Sequence, residues 1–247
     1  MSGGGAVLVL GGRSDIGLAV AHAFAARGHP VQLAARDPAS LDPEKRDIEL
    51  RHRVSVTLHE FDALAVETHE GFVGALPEIP AIAVCAVGLL GDDQADLEHD
   101  PAAARAVMRT NYEGPANVLG ILANRFEARG SGTLIGISSV AGDRGRATNY
   151  IYGSAKAGFT AYLSGLRNRL AGKGVHVLTV LPGFVATKMT EGKDLSPRLT
   201  TDPVTLAEAV VRASDSGRNI LYYKRIWALV MLVIRNIPEA VFKRTRI

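Results

Sequence analysis

Short apolar runs punctuate the chain at residues 6–10, 31–35, 54–58, 81–87, 132–138, 175–181 and 219–223. Most are apolar throughout rather than alternating with polar residues, as strands covered on both faces require. Between them, residues 16–27, 102–129, 150–172 and 205–216 have helical composition or spacing. Strands alternating with helices predict an α/β fold: a Rossmann-type, doubly wound parallel sheet of seven strands in three αβα layers. In such a sheet ligands bind outside the carboxyl ends of the strands, so residues that follow apolar runs are the first candidates for chemistry. There is no internal repeat and no long linker, and 247 residues suit one domain spanning 1–247. Residues 187–203 are polar, carry two prolines, and read as a lid. Residues 224–247 form an apolar and basic tail, expected to be helical.

Composition narrows the function classes. An apolar fraction of 47% and a charged fraction of 21% indicate an ordinary globular protein. A net charge of +3, with Lys and Arg scattered except at the C-terminus, lacks the basic stripe that nucleic acid demands. One cysteine, Cys85, excludes an internal disulfide or a multi-cysteine metal site, and within an apolar run it reads as a buried thiol. The seven histidines show no close ligand spacing, so no metal is expected. Residues 1–5 lack a basic leader and the following apolar run is short, which makes the cytoplasm the default location.

The chemistry concentrates in the run from Tyr150 to Lys156. Tyr152 and Lys156 lie four residues apart on a predicted helix, about one turn, so both project from one face. A free phenol has a pKa of about 10; a cation held beside it stabilises the phenolate and brings the group toward neutral pH. Ser139, thirteen residues before Tyr152 at the end of an apolar strand, can hold a carbonyl oxygen while the phenol supplies its proton. This is equipment for reducing a carbonyl.

A nucleotide site is expected at the other end of the cleft. The first strand leads into Gly11, Gly12, Arg13, Ser14, Asp15, Ile16 and Gly17 and then a helix, which brings bare backbone and a helix N-terminus to a pyrophosphate. At the tip of the second strand Arg36 follows Ala35. A guanidinium there pairs with a 2′-phosphate, where a carboxylate would take the 2′-hydroxyl, so NADP(H) is favoured over NAD(H) although Asp37 adjoins it. Arg13 is placed to assist. Asp62, after the third strand, reads either as a contact to the adenine amino group or as a helix cap.

Together these residues resemble the short-chain dehydrogenase/reductase family over nearly the whole chain. Gly11-x-x-x-Asp15-Ile16-Gly17 is similar to its glycine turn, with Asp15 in place of the middle glycine; a carboxylate there repels pyrophosphate unless it turns outward or caps the helix. Asp62 matches the family's adenine-binding aspartate. Cys85-Ala86-Val87-Gly88 stands where the family has Asn-Asn-Ala-Gly, so Ala86 and Gly88 are expected at the cofactor. The resemblance implies that Asn111, Ser139, Tyr152 and Lys156 form a catalytic tetrad, Asn111 holding a relay water and Lys156 the nicotinamide ribose. It also implies that Pro182, Gly183, Val185 and Thr187 contact the nicotinamide, and that the protein forms a homodimer or homotetramer.

Within that family three stretches resemble one branch, the keto-reductases of decaprenylphosphoryl-ribose 2′-epimerase. These are the stretch from Val87 to Asp92, that from Ser138 to Arg146 leading to Asn149, and that from Arg235 to Lys243. The branch implies reduction of a polyprenylphosphoryl 2-keto-pentose to the arabinose epimer, with a partner oxidase subunit; another keto-sugar or small carbonyl compound is the alternative. Arg144 or Arg146 is expected to pair with the substrate phosphate, with Asn149 nearby. Residues 226–234 are nine apolar residues flanked by cations, too few to span a bilayer. They suit a headgroup region on the inner face of the plasma membrane, with Trp227 at the boundary, or else a core or subunit contact. From other classes, a non-catalytic NADP(H)-sensing protein and a structural scaffold also stay open.

Overall fold

The structure, a computed structural model, describes residues 4–192 and 194–245. Among the described residues the strands are β1 (Val7–Leu10), β2 (Val31–Ala35), β3 (Val56–Glu60), β4 (Ile82–Cys85), β5 (Gly132–Ile137), β6 (Val175–Pro182), β7 (Phe184–Val185), β8 (Thr200–Thr201) and β9 (Ile220–Tyr223). The helices are α1 (Asp15–Ala25), α2 (Asp42–His52), α3 (His69–Gly74), α4 (Gln94–His99), α5 (Pro101–Met108), α6 (Gly114–Arg129), α7 (Tyr150–Leu170), α8 (Pro203–Asp215), α9 (Ile226–Asn236) and α10 (Glu239–Phe242). Seven strands form one parallel sheet in the order β3-β2-β1-β4-β5-β6-β9, and β7 pairs with β8 in a separate short ribbon. The expected three-layer fold is therefore the observed one.

Alternating side chains of the strands feed two cores, one on each face of the sheet. Val7 and Val9 of β1 join Phe24 of α1 and Val210 of α8 on one face. Leu8 and Leu10 join Leu122 and Phe126 of α6 and Phe159 and Leu163 of α7 on the other. The chain reverses direction across the sheet between β1 and β4, and the crevice at their carboxyl ends is where such folds take ligands.

Helix starts follow their caps. Ser14 accepts the Gly17 N–H at 2.8 Å to begin α1, and Asp202 accepts that of Thr205 at 2.8 Å, with Pro203 following, to begin α8.

Three expectations change. The stretch 102–129 is not one helix: between α5 and α6 the turn Arg109–Glu113 widens to π geometry. Pro115 has no N–H for the i→i−4 bond to the Asn111 carbonyl, and the Asn111 side chain is drawn sideways to the Leu89 and Val107 carbonyls, at 2.6 and 2.8 Å. The strand read at 54–58 forms two residues later, and α2 was not expected at all. The segment read as a lid is tied at both ends by the β7–β8 pairing, with the short turn Lys188–Thr190 inside it. Lys193 lies outside the described residues. Among the described residues no helix is long and apolar enough to cross a membrane.

Candidate active site

Ser139 follows β5 in extended backbone and caps the short turn Val140–Asp143, its Oγ accepting the Ala141 N–H at 3.1 Å. That turn lies directly on α7. A Cβ at Gly153 would come within 2.8 Å of the Ala141 carbonyl, and one at Gly142 within 2.6 Å of the Ala157 nitrogen. Two glycines thus let Ser139 approach the helix that carries Tyr152 and Lys156. Ser138 adds a clamp, its hydroxyl donating to the Lys156 carbonyl at 3.1 Å and meeting Thr160 at 2.7 Å.

Ser139, Tyr152 and Lys156 line one cavity of about 290 Å³. The Lys156 ammonium sits 5.8 Å from the Tyr152 ring centroid and donates to the Ile137 carbonyl at 3.1 Å. The expected lowering of the phenol is absent. Burial instead pushes Tyr152 up to about 12, opposed by hydrogen bonding with Ser139. The ammonium lies toward the ring and a carbonyl, so it does not offset that desolvation. Burial also brings Lys156 down to about 8, against the usual 10.5. Accordingly the protein itself holds the phenol protonated at neutral pH, the form that donates a proton, beside an amine poised to lose one.

Asn111 is fully buried on the π turn, and its Oδ1 accepts the Leu89 N–H at 3.3 Å. A Cβ placed on Gly88 would lie 3.3 Å from the Asn111 Oδ1 and 3.6 Å from the Lys156 Nζ. Gly88 therefore marks the point where Asn111 and Lys156 converge. Cys85 at the end of β4 is buried and its thiol is raised to about 11, which leaves it protonated and unreactive.

The glycine turn forms as read. Gly11 has φ +87°, and a Cβ there would come within 3.0 Å of the Ala86 carbonyl group, so only glycine lets β1 turn against the end of β4. Gly17 meets the Gly11 carbonyl and the Ser14 Oγ just as closely. Asp15 turns outward: its Oδ2 accepts the Lys188 N–H at 2.7 Å, so the carboxylate is spent on the segment after β7. Arg13 and Arg36 follow adjacent strands, both exposed, and neither has a partner among the described residues. A bare turn at a helix N-terminus beside two unpaired guanidiniums fits a dinucleotide with a 2′-phosphate. Asp62 uses Oδ1 to accept the Leu64 N–H at 2.9 Å, while its carbonyl meets the His69 ring.

Ile16, Ala86 and Gly88 line the cavity on this side; Gly11, Arg36 and Asp62 lie outside it. Pro182, Gly183, Val185 and Thr187 line the cavity as well. Thr187 and Thr190 cap one another there through backbone and hydroxyl groups.

Two expectations about the walls are corrected. Trp227 is not at a membrane boundary. It is 5% exposed, its indole donates to the Leu199 carbonyl at 3.1 Å, and it packs so closely on Gly183 that a Cβ there would overlap the ring. Trp227 is thus a cleft wall that sequence reasoning missed; its only signal was its place in an apolar block. Arg144 lies outside the cavity and is committed to the C-terminal segment. One of its Nη atoms donates to the Ile234, Arg235 and Ile237 carbonyls at 2.7, 3.2 and 2.6 Å, the other meets Glu239 at 2.9 Å, and the guanidinium stacks 3.6 Å over Phe242. Its donors close the end of α9. Arg146 and Asn149, in contrast, line the cavity.

The family described as short chain dehydrogenase matches residues 5–197. An uncharacterized oxidoreductase of Mycobacterium tuberculosis is 39% identical and covers 98% of each chain. A solved short chain dehydrogenase from Burkholderia cenocepacia, in complex with NADP, superimposes with a TM-score of 0.82 at 23% identity over 98% of this chain and 97% of that one. A short-chain dehydrogenase from Sphingobium yanoikuyae, in complex with NADPH, gives 0.80 at 22% identity over 96% and 97%.

Proposed function

The chain belongs to the short-chain dehydrogenase/reductase family of oxidoreductases, and from that premise we propose that it reduces a keto group to a secondary alcohol with NADP(H). The carrying observation is the convergence of Ser139, Tyr152 and Lys156 on one cavity, with Asn111 and Lys156 meeting at Gly88. When bound, NADP(H) supplies the hydride. Ser139 positions the carbonyl oxygen and Tyr152 donates its proton to it. Lys156 stands at the polar end of the cleft with the buried Asn111 behind it at Gly88, and a proton returns to the phenol from solvent on that side. The unpaired Arg13 and Arg36 support NADP(H) over NAD(H), and the two solved structures named above are complexes of NADP and NADPH.

For substrate, the reading is a polyprenylphosphoryl 2-keto-pentose reduced to its arabinose epimer. The cavity wall is mainly apolar, with Leu90, Leu97, Met189 and Trp227 facing its polar end. Helix α9 buries Trp227, Met231 and Ile234 while exposing Ile226, Leu229, Leu232 and Val233 on its other side. A helix apolar on both faces needs a cover. Arg225, Arg235, Lys243 and Arg244, all exposed, flank this stripe in sequence, which matches an anionic bilayer surface and sets like charges against each other in a symmetric self-contact. Contact at the inner face of the plasma membrane would place the cleft beside lipid-linked substrates. A 2-keto sugar must arise by oxidation of the 2-hydroxy sugar, so a partner oxidase fits the same reading. The test is incubation with NADPH or NADH and the polyprenylphosphoryl keto-pentose, the product identified by mass and stereochemistry. NADPH-dependent arabinose epimer is expected. NADPH binding without turnover of any carbonyl compound would leave a nucleotide sensor instead.

A further inference from the structure

Two arginines stand two residues apart in the loop that leads into α7, and they have opposite fates. Arg144 meets three carbonyls, a carboxylate and a ring. Arg146 has no ion pair or hydrogen bond through its side chain to any described residue, and its Nε is sealed from solvent without a partner. The Arg146 carbonyl accepts the Asn149 N–H at 3.0 Å, so a single turn joins the two residues, and both line the same cavity. Asn149 Oδ1 is likewise buried and unpaired, and the Asn149 side chain makes no cap bond to α7. Leaving a buried polar group unpaired is destabilising, more so when it is charged. Here a charged donor and a neutral acceptor are orphaned together, six and three residues before Tyr152. Burial lowers the Arg146 pKa, and Asp92 and Asp93 line the same cavity.

We infer that Arg146 and Asn149 form an oxyanion-recognition point for the substrate, Arg146 taking a phosphate oxygen and Asn149 accepting a hydroxyl beside it. This rests on the reductase reading above and names its substrate class: a keto compound that carries both an oxyanion and a free hydroxyl. A guanidinium meets a phosphate through two parallel N–H groups, whereas an ammonium offers a point charge, so lysine at 146 restores only part of the effect.

The sole tryptophan, Trp227, lines the same cavity and reports binding without turnover. Emission is titrated with ribulose 5-phosphate and with ribulose in the wild type, Arg146→Met, Arg146→Lys and Asn149→Ala, with thermal melts to confirm folding. Arg146→Met is expected to weaken ribulose 5-phosphate roughly 10- to 100-fold and leave ribulose unchanged, Arg146→Lys to recover part of the loss, and Asn149→Ala to weaken both ligands. Equal effects of Arg146→Met on the two ligands, or no binding of ribulose 5-phosphate by folded wild type, overturns the inference. Selective, Arg146-dependent binding without any NADPH oxidation would overturn the reductase reading alone.

Discussion

Replacing Arg144 with Met keeps the aliphatic stem and removes the clamp on the C-terminal segment. Hydrogen bonds to charged groups contribute about 1.5–3 kcal/mol each. The three carbonyls share one nitrogen of Arg144, so their contributions do not add in full. Glu239 is 76% exposed and contributes only about 0–1 kcal/mol, while stacking on Phe242 contributes about 0.5–2 kcal/mol. A total of about 3 kcal/mol follows, roughly a hundredfold in the docking equilibrium of α9. Trp227 is the only tryptophan and sits on the docked face. Arg144→Met should therefore shift its emission to the red and speed amide exchange across 226–242, and carbonyl substrates should show a raised KM because a cleft wall has loosened. Arg146→Met should leave emission in the free protein unchanged. If Arg144→Met matches wild type in both emission and exchange, the clamp does not hold the helix and the argument from its contacts fails.

Other outcomes follow from single contacts. Arg36→Glu should reverse the cofactor preference, weakening NADPH roughly 10- to 100-fold while sparing NADH; equal losses for both in binding titrations would remove Arg36 from the nucleotide site. Asp15→Ala removes the acceptor for the Lys188 N–H, so exchange at that amide and proteolysis after Lys188 should accelerate, and unchanged rates would show that the lid is held elsewhere. Lys156 falls from 10.5 to about 8 on burial. Because its folded value lies below its unfolded one, the cost of burying the charge is fully present below pH 8 and is relieved as pH rises toward about 10. Stability should rise through that window by up to about 3 kcal/mol, a rise absent in Lys156→Met. Tyr152, raised to about 12, acts with the opposite sign only above about pH 10. Over the same window kcat/KM should fall as the ammonium is lost; a flat profile to pH 10 would show that its charge is not used.

The sheet was legible because strands such as β1 are apolar on both faces, a pattern that survives without knowledge of tertiary partners. Helix α2 was not, since Ile48 is its only buried residue and a helix resting on one side chain leaves almost no periodic signal. The break at Asn111 was hidden inside continuous helical composition; Pro115 was its only mark. Residue spacing brought Ser139, Tyr152 and Lys156 to one cavity, but not the electrostatics between them, because a pKa depends on burial that spacing does not report. The two loop arginines look alike in sequence. Their difference comes from carbonyls about ninety residues away, and Trp227 belongs to the cleft for the same reason, through a contact with Gly183 that no local pattern contains.

The most direct measurement is transfer of a label: the protein is mixed with a keto compound and NADPH deuterated at its transferable position, and the alcohol formed is weighed. One deuterium on the former carbonyl carbon is expected with the wild type, and no alcohol with Tyr152→Phe, which should still bind NADPH. Alcohol formed at an undiminished rate by Tyr152→Phe, or product lacking deuterium, would contradict the assignment of proton and hydride on which the account stands.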